Sequence, residues 1–398
     1  MPGPVLVLNA GSSSLKFAVY RPETQRDGLH LLLRGELESI GTRPRFHATD
    51  GAGASVADAF FEGTKVTDPA SAISFVDEWL DGQLSGFRPE AVGHRVVHGG
   101  PRFREPVRVD EGILAFLETL IPLAPLHQPQ DLALIKAIAR QRPGLPQVAC
   151  FDTAFHRRHA KVAELFGLPL SFYDEGVMRY GFHGLSYEYI ARSLPDVAPR
   201  IADGRVVVAH LGAGASLCAM KARQSVDSTM GFTTLDGVAM STRPGTIDPG
   251  VLLYLLQSKG YDAVKLQHLL YKESGLLGLS GISGDMRDLL ASDASAARDA
   301  IDYFVFRIVK EIGALACVLG GLDGLVFTAG IGEHAALIRE KVCEGLSWLG
   351  LRLDPAANGR NGPQISGPGS RVGAYVIPTD EEKMIAQHTL ETLRVESG

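Results

Sequence analysis

Two short stretches of this chain, 201 residues apart, repeat one local plan. Asn9–Val19 reads NAGSSSLKFAV and His210–Met220 reads HLGAGASLCAM, so Gly11 falls on Gly212 and Ala18 on Ala219. Each follows an apolar, strand-like run (Val5–Leu8 and Arg205–His210), and each leads into another. A strand–glycine turn–strand unit used twice predicts two related domains facing each other. The 398-residue length agrees, because one core rarely serves so long a chain. No low-complexity linker divides the halves, which favours a packed, hinged pair over separate beads.

The first turn is chemically unusual. Asn9, Gly11, three serines and Lys16 crowd into eight residues before apolar alternation resumes at Phe17. Small residues let backbone approach a ligand, hydroxyls and amides donate hydrogen bonds, and a lysine adds charge. That outlines a phosphate-facing hairpin, with an ordinary polar turn as the plain alternative. Further strands are expected at Leu15–Tyr20, Leu29–Ile40, Gln147–Phe151, Leu325–Thr328 and Ala374–Ile377. Helical spacing marks Asp110–Ile121, Pro129–Gln141, Asp248–Lys259, Asp262–Glu273 and Ala294–Leu319. A closing helix spans Asp380–Val395, with Asp380 placed to cap it.

Several function classes fall away on composition. The net charge is −6 with no basic tract, which argues against nucleic acid as a partner. No apolar window reaches the roughly 18 residues of a membrane span. Cys150, Cys218, Cys317 and Cys343 form no CxxC pair and sit in apolar runs, so buried free thiols and a cytoplasmic location are expected.

Ten strings in order along the chain carry a resemblance: NAGSSSLKF, GHRVVHGG, FDTAFH, RYGFHG, HLGAG, GFTTLDG, STRPGTIDPG, SGDMRD, AGIGEH and a late DEE. Together they resemble the acetate kinase family, over nearly the whole chain. The resemblance implies an α/β fold of two RNase-H-like domains around a hinged cleft, as in the actin, hexokinase and sugar-kinase superfamily. The first domain is expected at 1–150 with 386–398, and the second at 151–385. The implied reaction is reversible phosphoryl transfer from ATP to acetate, giving ADP and acetyl phosphate, with Mg²⁺ or Mn²⁺, in a homodimer. The alternatives are a propionate kinase with the same mechanism and, in a different class, a non-catalytic actin-like nucleotide-binding regulator.

Such a reaction is mostly positioning and electrostatics, because charge spreads over the transferred phosphoryl group. By resemblance, Arg95 holds the acceptor carboxylate, Arg243 and His183 meet the transition state, and Asp152 is catalytic. A carboxylate acceptor is already ionised at neutral pH and needs no base, so Asp152 is better used to orient metal-bound water or to fix an arginine. The metal falls to Asn9 and Glu381. The same resemblance implies an acyl pocket lined by Val97, Leu126, Phe182 and Thr234, with His127 as a further acceptor-side candidate. Nucleotide contacts are Ser12 and Lys16, His210, Leu211, Gly212, Ala213 and Gly214, then Asp285, Met286 and Arg287. The last nucleotide stretch is Gly330, Ile331, Gly332, Glu333 and His334. Each of these residues also has a plainer reading as a cap, a turn or a core position. The chain departs from the family pattern at Ala213, Pro244, Thr246, Thr234 and His334, which bears on acyl and nucleotide preference.

Overall fold

The computed structural model describes residues 3–11, 14–23, 28–61 and 66–396. It divides into two compact units, Met1–Phe155 with Asp380–Gly398, and His156–Thr379. The strand ending at Phe151 and the last helix therefore lie whole within the first unit.

The first unit opens with β1 (Val5–Ala10) and β2 (Leu15–Pro22), then β3 (Leu29–Glu38), β4 (Arg45–Asp50) and β5 (Ser55–Phe60). α1 (Pro69–Gln83), β6 (Ala91–Val96), β7 (Val107–Arg108), α2 (Glu111–Thr119), α3 (Gln128–Gln141) and β8 (Gln147–Phe151) follow. The sheet order is β5-β4-β3-β2-β1-β6-β8-β7. β1 pairs antiparallel with β2 and parallel with β6. Leu6, Leu8, Phe17, Val19 and Phe46 point to one face, where they meet Ile73, Val76 and Leu80 of α1 and Leu134 and Ile138 of α3.

The second unit carries α4 (Lys161–Glu164), α5 (Leu170–Asp174) and α6 (Gly184–Val197), then β9 (Arg205–Leu211), β10 (Ala215–Lys221) and β11 (Gln224–Ser228). α7 (Pro249–Ser258), α8 (Ala263–His268), α9 (Gly275–Ser280), α10 (Met286–Leu290) and the long α11 (Ser295–Leu319) come next. β12 (Gly324–Thr328), α12 (Ala329–His334), α13 (Ala336–Gly345), α14 (Pro355–Gly359) and β13 (Gly373–Val376) complete it. Its sheet runs β11-β10-β9-β12-β13, with β9 antiparallel to β10 and parallel to β12. The chain then returns to the first unit as α15 (Glu381–Glu396).

The repeat seen in the sequence is a repeat of topology. Within the larger sheet, β3-β2-β1-β6-β8 has the same succession as β11-β10-β9-β12-β13: third, second, first, fourth, fifth. The matched glycines also do the same work, since Gly11 N–H donates to Ser14 O at 2.8 Å and Gly212 N–H to Gly214 O at 3.0 Å. Asp380 caps α15, its Oδ1 accepting from Lys383 N–H at 2.9 Å.

One expectation needs correction. Cys150, Cys218 and Cys343 are buried, but Cys317 is exposed. The buried stripe of α11 runs through Ile301, Phe304, Ile308, Ile312, Leu315 and Leu319, and Cys317 lies off it, beside the exposed Val318. An apolar run around a cysteine does not place it on the inner face of a helix.

Candidate functional site

In the first unit, charge gathers where β6 and β8 end. The two strands are parallel, with Arg95 opposite Cys150, so Asp152 arrives one residue past β8 beside the Arg95 side chain. Asp152 N–H donates to Val96 O at 3.1 Å, which fixes that register. The Arg95 Nε lies 3.2 Å from both Asp152 oxygens and its Nη2 lies 2.5 Å from Oδ2. Asp152 is 2% exposed and Arg95 16%, so the pair is nearly dry with one side of the guanidinium still open. The paired carboxylate holds the Arg95 guanidinium well above its usual range, against the opposing cost of burial.

Asp131, in the first turn of α3, is a third member that sequence reasoning missed. Its Oδ2 accepts the Val97 N–H at 2.9 Å. Burial pushes its carboxyl up to about 7, against the pull of Arg95. The available signal was an acid next to Leu132 on the face that α3 turns inward with Ile135 and Ile138. Glu381 joins from the start of α15. Loss of solvent and the Asp152 carboxylate push it up to about 7, against Arg95 and Lys16. Asn9 Nδ2 donates to Glu382 Oε1 at 3.4 Å, so β1 reaches the second glutamate of the pair. Lys16 is exposed on β2, Val97 is buried, and Leu126 and His127 are half-buried before α3. Ser12 lies outside the described residues.

Carboxylates thus outnumber cations here: Asp131, Asp152, Glu381 and Glu382 against Arg95 and Lys16. A divalent cation suits that excess, and by favouring the ionised Glu381 it would displace a proton. Among the described residues no three His, Cys, Asp or Glu side chains are grouped so as to hold a metal ion. Mg²⁺ keeps most of its waters and does not require such a cage, so the donor set fits it.

The second unit brings His183, His210, Arg243 and the glycine hairpin together. The His183 and His210 rings stack 4.2 Å apart, inclined by 14°. His183 Nδ1 is 2.8 Å from Ser216 Oγ, which is 2.5 Å from the Tyr187 hydroxyl; His210 Nδ1 is 2.8 Å from Ser186 Oγ. Both histidines are therefore fixed through Nδ1, and the sequence reading did not single out Ser186, Tyr187 or Ser216. A Cβ on Gly214 would lie 2.8 Å from Arg243 Nη2 and 3.3 Å from His183 Nε2. Two nitrogen-bearing groups therefore converge on the β9–β10 turn, which only a glycine admits so closely. Arg243 is steered there by its Nη1–H donated to Thr234 O at 2.8 Å, and its loop is tied to the hairpin by Ser241 N–H donated to Ala213 O at 3.2 Å. Ala213 is exposed, Gly212 and Thr234 are half-buried, and Leu211 and Phe182 are fully buried.

Gly214→Ala is expected to lower kcat several-fold with little loss of stability. The added methyl meets the mobile ends of Arg243 and His183 rather than backbone, so those ends move. Steady-state rates and a thermal melt on the same preparation check it; an unchanged kcat would show that the convergence has no bearing on turnover.

The remaining expected nucleotide residues separate by environment. Asp285 caps α10, accepting from Arg287 N–H at 2.8 Å, and pairs with the exposed Arg287 guanidinium, which holds the carboxyl below its usual range. Met286 is a core side chain. Gly330, Ile331, Gly332, Glu333 and His334 form α12, a single short helix. Glu333 Oε1 accepts from Ala329 N–H at 2.9 Å and Thr379 N–H at 3.2 Å, so this carboxylate organises its own loop. His334 is exposed at the end of the helix. Beneath them lies Arg339 of α13, 0% exposed, which sequence reasoning also missed. It donates to Gly332 O and Glu333 O at 2.9 Å, to Asn358 Oδ1 and O at 2.8 Å and to Asn361 Oδ1 at 2.7 Å. Its only signal was an arginine next to Ile338 on the face of α13 that also buries Val342 and Cys343.

The chain is similar to proteins of known family over nearly its whole length. An acetate kinase of Nitrobacter hamburgensis is 54% identical over 389 residues, covering 98% of this chain and 96% of that protein. The solved acetate kinase of Porphyromonas gingivalis superposes with a TM-score of 0.85 at 36% identity, covering 98% of this chain and all of the other. A solved propionate kinase of Francisella tularensis gives 0.88 at 34% identity, covering 98% of this chain and 99% of the other. The model of the acetokinase family matches residues 4–387, and the chain belongs to that family.

Proposed function

We propose that the chain is an acetate kinase: it transfers the γ-phosphoryl group of ATP to acetate, reversibly, giving ADP and acetyl phosphate. Family membership and curated relatives named acetate kinase support this reading. The observation that carries it is the convergence of Arg243 and His183 on the glycine turn of the second unit. Donors fixed in advance at one point suit a phosphoryl group whose charge spreads over its oxygens. In the first unit, the open side of the Arg95 guanidinium takes the acetate carboxylate, and Asp152 keeps the fork from turning. Asp152 is then a fixing residue and no proton leaves the acceptor. Asn9, Glu381 and Glu382, with Asp152, would hold Mg²⁺ directly or through water. The ion supplies charge neutralisation at the phosphate oxygens. The α12 loop and the Asp285–Arg287 turn serve the nucleoside.

Trapping of acyl phosphate as hydroxamate, with ATP, Mg²⁺ and each of three acids, tests the reading. Acetate is expected to give the highest kcat/KM. Propionate follows at a penalty of about 1–3 kcal/mol for one methylene, and butyrate is poor. Propionate above acetate would turn the reading to a propionate kinase. No hydroxamate from any acid, with ATP still bound, would leave a nucleotide-binding regulator.

We also infer a homodimer. All of α7 lacks a buried residue, yet it exposes Val251, Leu253, Tyr254 and Leu256 at 40–54%. An apolar helix so bare fits a second copy of this chain as its cover. A sedimentation mass of one chain at micromolar concentration would overturn that. The free cysteines support a cytoplasmic setting, which cell fractionation checks. Among the described residues no helix is long and apolar enough to cross a membrane.

A further inference from the structure

We propose that His156 is a positioning residue for His183, acting through the carbonyl of Phe182, and that Ser225 and His159 lock its ring for that task. The proposal rests on the reading of His183 as a phosphoryl ligand. His156 is fully buried, and its Nε2 lies 2.9 Å from Phe182 O. A carbonyl can only accept, so the ring proton sits on Nε2. Burial lowers His156 to about 4, which leaves Nδ1 bare at neutral pH. Nδ1 is 2.8 Å from Ser225 Oγ, so the serine hydroxyl donates its one proton there. His159 Nε2, 2.7 Å from the same oxygen, must then be the donor to it. The chain runs one way: His159 N–H to Ser225, Ser225 O–H to His156, His156 N–H to Phe182 O. Burial also lowers His159, to about 3, so neither ring gains a proton that would reverse the order near neutrality.

The segment so held is conformationally demanding. Gly181 has φ +77° and His183 has φ +57°, so left-handed residues flank Phe182 on both sides. A Cβ on Gly181 would come within 2.5 Å of His156 Cγ, so the imidazole lies directly against that backbone. Phe182 is itself fully buried. His183 hangs from this turn by its backbone, is held at Nδ1 by Ser216 and lies against the His210 ring, and these contacts together aim Nε2 at Gly214. Release of the Phe182 carbonyl loosens the backbone anchor.

The test is a double-mutant cycle on the whole enzyme, with kcat counted per folded molecule and both KM values measured. His156→Phe keeps the ring's bulk and loses the donor. It is expected to lower kcat about tenfold with KM values nearly unchanged, the size of effect that a small misplacement of a reacting group produces. His156→Gln, whose amide N–H can reach Phe182 O, is expected to recover most of the loss. His156→Phe added to His183→Ala is expected to cost nothing further, because the group being aimed is gone. A wild-type kcat in His156→Phe, or a double variant slower than His183→Ala by the full single-variant factor, overturns the proposal. If His183→Ala alone keeps its kcat, the reading of His183 falls and takes the proposal with it. Should His156→Phe fail to fold, Ser225→Ala replaces it in the same cycle, with the same non-additivity expected and the same result overturning it.

Discussion

Arg95→Ala is expected to abolish most of the turnover with acetate while leaving ATP affinity close to normal. Two losses coincide. The acceptor carboxylate forfeits a charge-assisted partner, worth roughly 1.5–3 kcal/mol. Asp152, only 2% exposed, is also left as a nearly dry carboxylate without its guanidinium. Breaking one side of such a pair typically costs about 3–5 kcal/mol. We therefore expect kcat/KM for acetate to fall by a factor of about 100, toward the upper end of the roughly 10- to 150-fold that one such contact spans, with the stranded Asp152 showing as lost stability. Asp152→Asn separates the roles. The amide keeps the shape and one acceptor oxygen but frees the fork, so kcat/KM for acetate should fall and the Mg²⁺ requirement should rise as a carboxylate is lost. A lost acidic limb in the pH profile with unchanged Mg²⁺ dependence would instead make Asp152 a proton carrier. Wild-type acetate kinetics in Arg95→Ala would remove this arginine from the site.

The second large effect is expected at Arg339. Replacement by methionine keeps much of the volume and removes five donated hydrogen bonds. The orphaned oxygens of Gly332, Glu333 and Asn358 cost roughly 1–3 kcal/mol each, partly offset by relief of a buried charge that burial already pushes below its usual range. A net loss of about 3 kcal/mol follows. For a unit of this size that lowers the melting temperature by roughly 10 °C. The carbonyls concerned close α12, so KM for ATP should rise while kcat at saturating ATP changes less. Calorimetric melting and ATP titration read the two effects separately. A lowered melting temperature with unaltered ATP affinity would confine Arg339 to a structural role.

The sequence disclosed what is periodic and what is repeated. The hairpins at Gly11 and Gly212 were legible because glycine spacing and apolar flanks survive as strings, and the shared sheet order grew from them. The helices at α2, α3, α7 and α11 were found within a few residues of their ends because their apolar spacing is regular. The helix expected over Asp262–Glu273 does reach Glu273, but it is α-helical only to His268 and widens into a π-helix over Leu269–Glu273. β4, β5 and α1 were missed. β5 is largely exposed, and its sequence SVADAF does not alternate apolar with polar, so its pairing with β4 leaves little trace of a period of two. β6 was read only as a motif, because Gly93, His94 and Arg95 interrupt its apolar run. In the site, residues bearing unusual chemistry stood out and their supports did not. Asp131, Ser216 and His156 act through bonds to residues 26 to 34 positions away, and Arg339 through a buried fork whose partners lie 6 to 22 positions away. No local pattern encodes such a partner.

The last helix has a consequence for the order in which this protein is made. α15 packs on β1, β6 and β8, with Met384, Ile385 and Ala386 fully buried. Those strands are synthesised more than 200 residues earlier. The first unit therefore cannot close its core until α15 has been made, so one apolar face of its sheet waits uncovered throughout synthesis of the second unit.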